Sequence, residues 1–196
     1  MTDGPFDVAD VDLADGVARV DLGALLIPMT TGVDVQVQVD EQSGTVVQAT
    51  LVMGGGAVQV QPYAAPKSGG MWTDVRDQIA RSISSGGGLV EEAVGPFGPE
   101  LRAQVNGSDG ALQPARFVGV EGPRWFLRAV FLGTAAQPLE AEPLESVIRG
   151  LVVVRGDEAM PVGAPIPLRL PQEPGEEPTD TVLNPFARGP EITETR

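Results

Sequence analysis

The chain has 196 residues, 42% of them hydrophobic, and a formal charge of −14 at pH 7. That length is enough for one domain with a sizeable core and short for two. The acidity disfavours nonspecific binding to nucleic acid or to anionic membranes, because those surfaces attract clustered Lys and Arg.

Several side-chain chemistries are scarce or missing. The chain contains no Cys and no His, and its one Lys is Lys67. Without thiols and imidazoles, it lacks two of the usual metal ligands and the commonest general base. We therefore predict no catalytic residue, no metal and no cofactor, and a protein that acts through its shape and its surface contacts.

The two ends differ in composition from the middle. Residues 1–21 hold six acidic residues against Arg19, and residues 172–196 hold six against two Arg, amid many Pro and Thr. Such segments cannot bury enough apolar surface to fold alone. We predict an acidic N-terminal segment at 1–15 with Phe6 as an anchor, a single domain at 16–171, and a disordered acidic tail at 172–196.

The sequence shows no targeting or membrane-spanning segment. It opens with acidic residues and lacks a basic region before an apolar run. No stretch approaches the roughly 20 apolar residues that a membrane-spanning helix needs. These features predict a cytoplasmic protein without a membrane span.

The first half of the chain alternates as strands do. After a short strand at 17–22, valines at 32–39 alternate with Asp34, Gln36 and Gln38, which is typical of a half-buried strand. A turn at 40–44 leads into a second strand at 45–53, and a third covers 57–63.

The best helix signal covers residues 72–84. Trp72, Val75, Ile79 and Ile83 recur at spacings of three and four, so they form one apolar stripe. The glycines at 86–88 end the helix, because glycine tolerates the left-handed conformation of a helix C-cap.

The second half predicts a further run of strands, at 89–94, 101–105, 116–120 and 124–132. The last of these is apolar on both faces apart from Arg128, so we expect a central strand that is covered on both sides. A shorter helix begins at Pro143, and closing strands are expected at 151–154 and 166–170. Because strands come in runs with helices between them, the pattern favours an α+β fold, an antiparallel β-sheet with two helices packed against it.

Four sequence blocks point to a family. They run RVDLGALLIP from Arg19, PYAAPKSGGMWTDVR from Pro62, GPRWFLRAVF from Gly122 and RGDEAMPVG from Arg155. Over roughly residues 5–171 the chain resembles the actinobacterial family called domain of unknown function 3710. The resemblance implies an actinobacterial cytoplasmic protein and supplies no reaction, cofactor or catalytic residue. The order of elements is also similar to the small α+β fold of the Mog1 and PsbP proteins, which mostly serve as binding or assembly modules.

Two local patterns imitate known motifs. The glycines at 54–56 and 86–88 lack the surroundings of a phosphate-binding loop, and the second run follows its helix. Tyr63 and Lys67 have the Tyr-x-x-x-Lys spacing of short-chain dehydrogenases, but Pro62 and Pro66 disfavour the helix that this pair requires. We interpret both patterns as structural.

Arg128 is the best lead to a ligand or partner site. It lies among apolar residues in a strand that should be buried, where an unpaired charge is costly. We therefore expect an acidic partner for Arg128 or a position at the mouth of a pocket, with Arg124 as a second candidate. Trp72 and Trp125 are expected in the core, with an exposed binding face as the alternative.

Leu183 and Phe186 stand among polar residues in the C-terminal tail. Short peptides that order on binding have this composition, and a plain linker is the alternative.

The sequence thus favours a non-catalytic protein-interaction, assembly or regulatory module with a protein partner. Its candidate contacts are Tyr63, Trp72, Arg124, Arg128, Leu183 and Phe186. The competing hypothesis is a small-molecule-binding protein or enzyme with a pocket between the sheet and the helix of Trp72. Neither nucleic acid nor a membrane is expected as a partner.

Overall fold

The computed structural model describes residues 4–40, 45–107 and 110–171. The strands in these ranges are β1 (Phe6–Asp7), β2 (Arg19–Asp21), β3 (Leu25–Pro28), β4 (Asp34–Val39), β5 (Val46–Met53), β6 (Gly56–Ala64), β7 (Leu89–Gly95), β8 (Gly98–Asn106), β9 (Leu112–Gly122), β10 (Trp125–Gly133) and β11 (Val152–Val153). The helices are α1 (Met71–Ser85) and α2 (Glu142–Arg149), and short 3₁₀ turns cover Val8–Asp10 and Thr134–Ala136. Helices and antiparallel strands together give the α+β fold that the sequence predicts.

Seven strands form one antiparallel sheet in the order β4-β5-β6-β10-β9-β8-β7. Alternation along β10 directs Trp125 and Leu127 to one face, the inner face, and Phe126 and Arg128 to the other, the outer face. Leu127 and Phe126 are both buried. The prediction that this strand is central and apolar on both sides is therefore confirmed, with Arg128 as its half-buried exception.

The inner face is covered by a second, smaller sheet and by α2. The small sheet has the order β1-β11-β3-β2, and its β1–β11 pair is parallel. Ile27 of this sheet and Leu144 and Ile148 of α2 belong to one core cluster with Trp125 and Phe131 of the large sheet. Burial of these apolar side chains is the main force that holds the two layers together.

The outer face is covered in part by α1, which lies over β7, β8 and β9. Trp72, Val75 and Ile79 pack in one apolar cluster with Phe126, so the stripe predicted at 72–84 forms as expected. The helix approaches β9 closely at Gly119, where an added Cβ would lie 2.3 Å from the Trp72 ring. Only glycine leaves room for that ring at this position.

The described part of the acidic N-terminal segment is attached to the domain. Phe6, the expected anchor, pairs with Val152 in the small sheet, and the carboxylate of Asp7 accepts a 2.8 Å hydrogen bond from Nε1 of Trp125. The predicted tail at 172–196 lies outside the described residues.

One predicted strand is wrong. The expected strand at 166–170 does not form, and the region makes only isolated bridges at Pro165 and Leu168. Pro165 and Pro167 lack the N–H groups that a strand ladder requires. Conversely, β3 was not expected, because its run of apolar residues shows no alternation. In the ranges that the structure describes, no helix is long and apolar enough to cross a bilayer.

Candidate functional site

α1 leaves a large part of the outer face uncovered. Over β4, β5, β6 and the adjoining part of β10, the outward side chains combine polar groups with the apolar Val52, Ala57, Val130 and Leu132. We call the polar, exposed or half-buried part of this surface the open face. It consists of Gln36, Gln38, Gln48, Thr50, Gln59, Gln61, Tyr63 and Arg128.

Strand register places these side chains in rows. Gln36, Thr50 and Gln59 stand directly opposite one another across β4, β5 and β6, and Gln61 stands opposite Arg128 across β6 and β10. Directly paired residues of antiparallel strands project to the same side. The open face is therefore a flat array of amide groups that can both donate and accept hydrogen bonds.

One corner of the open face lies where β6 meets β10, and it contains Arg128, the one charged residue among the eight. We call Gln61, Tyr63 and Arg128 the Arg128 cluster. Oε1 of Gln61 accepts a 3.0 Å hydrogen bond from Nη2 of Arg128 and a 2.5 Å hydrogen bond from the Tyr63 hydroxyl. The guanidinium carbon lies 5.4 Å from the centre of the Tyr63 ring, within cation–π range. An amide oxygen and an aromatic face thus hold the arginine in place.

Aromatic contacts connect this cluster to α1. The rings of Tyr63 and Phe126 are 6.0 Å apart, and those of Phe126 and Trp72 stack at 5.8 Å. Such pairs stabilise packing beyond their buried area. The position of the cluster is therefore coupled to the position of the helix.

The first turn of α1 is fixed by Glu121, at the end of β9. Its carboxylate accepts hydrogen bonds from the backbone N–H of Gly70 at 3.0 Å and of Trp72 at 2.8 Å. The indole Nε1 of Trp72 donates at 2.7 Å to the carbonyl of Pro99. The bonds to Glu121 satisfy free N–H groups at the N-terminal end of the helix. Together with the indole bond, they fix the start of α1 and the Trp72 ring against β8 and β9.

Burial raises the pKa of the Tyr63 hydroxyl, and the nearby charge of Arg128 opposes that rise in pKa without cancelling it. The phenol is therefore protonated at neutral pH and acts as a hydrogen-bond donor. In that state it cannot serve as a general base.

Three of the sequence-predicted residues meet at this corner: Tyr63, Trp72 and Arg128. Arg124 does not join them, because it lies in the β9–β10 turn with a φ of 64°. Its carbonyl accepts hydrogen bonds from the N–H of Ala65 and from Nε of Arg155. Arg124 thus contributes to the structure through its backbone carbonyl. Leu183 and Phe186 lie outside the described residues.

Sequence reasoning missed Gln61, the acceptor at the centre of the cluster. The signal was present, because Gln59, Gln61 and Tyr63 alternate with apolar residues along β6 and so must share a face.

The acidic partner expected for Arg128 is absent among the described residues, and the buried ion pair occurs at Arg116 instead. Arg116 is fully buried on the inner face, where its Nη2 bonds Glu145 of α2 and its Nε lies 3.5 Å from Glu100. The guanidinium also lies 4.3 Å from the centre of the Phe131 ring. These contacts tie α2 to β8 and β9.

The predicted pocket between the sheet and α1 is filled by Trp72, Val75 and Phe126. A groove of about 500 Å³ lies elsewhere, between β7, β8, β9 and the 3₁₀ turn at 134–136, and its polar lining includes Arg102, Gln104 and Gln137. Across the described ranges, no three Asp or Glu side chains converge as a metal site would require.

A family model described as a protein of unknown function, DUF3710, matches residues 4–177. The chain belongs to the DUF3710 family. The match contains the open face, the Arg128 cluster and the groove, so all three are features of the DUF3710 region. No curated protein matches the chain. The likeness to the Mog1 and PsbP fold stays a prediction.

Proposed function

We propose that this DUF3710 protein is a non-catalytic interaction module that binds a protein partner through the open face. The observation that supports this proposal is the state of Arg128. It is partly exposed, it is held by Gln61 and Tyr63, and within the described residues no carboxylate lies within ion-pair distance of it. A guanidinium that is held in place and makes no ion pair can donate hydrogen bonds to a carboxylate or carbonyl on a partner surface.

The rest of the open face fits the same role. Its glutamines offer donors and acceptors over a flat area, and Tyr63 and Arg128 belong to the residue types that dominate binding energy in protein interfaces. The setting that we propose, an actinobacterial cytoplasm, follows from the sequence resemblance. Because the chain carries a formal charge of −14, the partner should be neutral or basic overall, with an acidic group that meets Arg128.

Affinity capture followed by measurement with the purified partner tests the proposal. Arg128→Gln should weaken binding by about 30-fold, a loss typical of an arginine that dominates binding energy in an interface. Arg81→Gln, on the exposed side of α1, is the matched control and should leave binding unchanged. A partner that binds Arg128→Gln as tightly as the natural chain would count against the open face.

A shortened chain, residues 1–171, separates this surface from the tail. If the open face is the binding surface, the shortened chain retains the partner, and its affinity responds to Arg128→Gln as before. If Leu183 and Phe186 provide the contact, capture is lost on truncation and the Arg128 substitution has no effect.

The second candidate function is small-molecule binding, and the groove favours it. The groove has the size of common ligand sites, and Arg102, whose side chain is 38% exposed, faces it beside its partner Glu100. A thermal-shift screen of anionic metabolites would detect a ligand as a raised melting temperature. The hit should disappear in Arg102→Gln, and a hit that persists there does not use the groove.

A further inference from the structure

Among the described residues, the large sheet ends at β4, and no strand covers this edge. In the part of the chain that the structure describes, β4 pairs with β5 on one side and with no strand on the other. An edge strand presents a row of N–H and C=O groups that can pair with another strand. Proteins usually block such edges with charges, prolines or bulges in the middle of the strand.

The opposite edge, β7, is protected in this way. It carries Glu91 and Glu92 side by side, and Glu92 lies 3.7 Å from Arg76 of α1. β4 contains no proline, and Asp34 at its start is its one charged residue. The one irregularity of its pairing with β5 falls at its end, between Gln38 and Val39. The β7 edge thus carries charges in the middle of its strand, and the β4 edge does not.

The inner side of β4 also remains incompletely covered. Val35 and Val37 face the core side and are only half-buried, and Val39 is exposed. A groove of about 340 Å³ runs beside Val35, lined in part by Val33, Asp34 and Met29, and Met29 is 67% exposed. A strand added along β4 would remove this apolar surface from water.

We propose that β4 pairs with β4 of a second copy of this chain, antiparallel and around a two-fold axis perpendicular to the sheet, so that two seven-stranded sheets become one. Directly opposed residues share a face, so the two-fold axis requires valines to meet valines and polar residues to meet polar residues. The alternation of β4 satisfies this requirement at every position from Asp34 to Val39.

Charge selects the register. With Gln36 on the axis, Gln36 meets its own copy, Val35 meets Val37, and Asp34 meets Gln38. With Val37 on the axis, Asp34 would meet Asp40, and like charges directly opposed are destabilising. The register centred on Gln36 is therefore the favoured one, and it contains no pair of like charges in the strand.

This dimer is independent of the partner site at Arg128, and either can fail without the other. It would bring the open faces of the two copies side by side, because Gln36 and Gln38 lie at the boundary. Since each copy carries a formal charge of −14, screening should strengthen the dimer as salt is added.

The absence of cysteine from the natural chain gives a sharp test of the register. In Gln36→Cys, the two introduced thiols would stand opposite each other, with Cα atoms about 4.5 to 5.5 Å apart, a distance that a disulfide spans. In Gln38→Cys, an equally exposed position on the same face, the two thiols would be about four residues out of register, roughly 13 Å apart. Mild oxidation should cross-link the first variant and leave the second monomeric under denaturing conditions.

Sedimentation of the natural chain up to about 0.1 mM, at low and high salt, supplies the second measurement. We expect a dimer whose dissociation constant falls with added salt, rises at least several-fold in Gln36→Lys and stays unchanged in Glu92→Gln on the opposite edge. A monomer at all concentrations and salt levels overturns the proposal. Equal cross-linking of Gln36→Cys and Gln38→Cys overturns the register, and with it the pairing proposed here.

Discussion

At the scale of single residues, Tyr63 reports on the Arg128 cluster directly, because it is the only tyrosine in the chain. Burial raises its pKa in the folded protein, while the unfolded chain should titrate near the ordinary value of about 10. We expect the phenolate absorbance of the folded protein to develop at higher pH than that of the denatured protein. A folded midpoint at or below the denatured one would contradict the buried, hydrogen-bonded phenol.

The sign of the linkage follows from the same shift in pKa. A group whose pKa is raised on folding contributes stability that is fully present below its unfolded pKa and is lost as the pH rises through its folded pKa. The free energy of unfolding should therefore decline above about pH 10. In Arg128→Gln the pKa of Tyr63 should rise further, because the guanidinium charge lowers it. Arg81→Gln, remote from the phenol, should leave the titration unchanged.

Glu145 tests the buried charges on the inner face. Glu145→Gln removes one of the two carboxylates that pair with the fully buried Arg116, the one that its guanidinium hydrogen-bonds, and breaking a buried pair on one side costs about 3 kcal/mol. Glu142→Gln, which affects a carboxylate that is 70% exposed and bonded to Arg149, should cost less than about 1 kcal/mol. Urea unfolding of both variants measures the difference. Equal losses would show that burial does not govern this ion pair.

At the scale of elements, α1 depends on a residue that is distant in sequence. Gly70, at the N-cap, supplies no side chain, so the carboxylate of Glu121 takes the place of a local cap. Glu121→Ala should lower the free energy of unfolding by about 1 kcal/mol and accelerate hydrogen exchange at the amide of Trp72. Glu91→Ala on β7 is an exposed control that should change neither quantity. Unchanged exchange at Trp72 would exclude Glu121 as the cap.

Elements with a strong period of their own were predictable, and those that depend on distant partners were not. The stripe of α1 and the two apolar faces of β10 are local patterns, so both elements were predicted close to their observed bounds. β3 has no period and is defined by its pairing with β2, just before it in sequence, and with β11, which comes from the far end of the domain. The same reasoning applies to the candidate site. Tyr63, Trp72 and Arg128 were identified as residues, but their proximity follows from the register of β6 against β10.

At the scale of the whole molecule, the layers explain why the buried ion pair occurs at Arg116 and not at Arg128, where an acidic partner was expected. Both arginines lie in neighbouring strands among apolar residues, and strand alternation alone does not say which face of the sheet is more deeply covered. The inner face is closed by the small sheet and α2, so Arg116 needs carboxylates there. The outer face is closed only as far as α1 reaches, so Arg128 meets an amide and a ring at the boundary. A buried charge is thus paired with carboxylates where the covering layer is complete, and a half-buried one is held by uncharged groups where that layer ends.

The layers also depend on a contact between the N-terminal strand and β10, the central strand of the large sheet. The indole N–H of Trp125 is buried in the main core and donates to the carboxylate of Asp7, 118 residues away. Asp7→Ala removes this acceptor, and a buried donor without a partner costs about 1 to 3 kcal/mol. Asp7→Asn keeps an oxygen in place and should recover most of that loss, whereas Asp10→Ala, in the adjoining exposed turn, should stay within about 0.5 kcal/mol of the natural chain. Unfolding monitored by tryptophan fluorescence distinguishes these variants. If Asp7→Ala is no less stable than Asp10→Ala, the N-terminal strand does not contribute to the core, and the small sheet is held by β3, β11 and β2 alone.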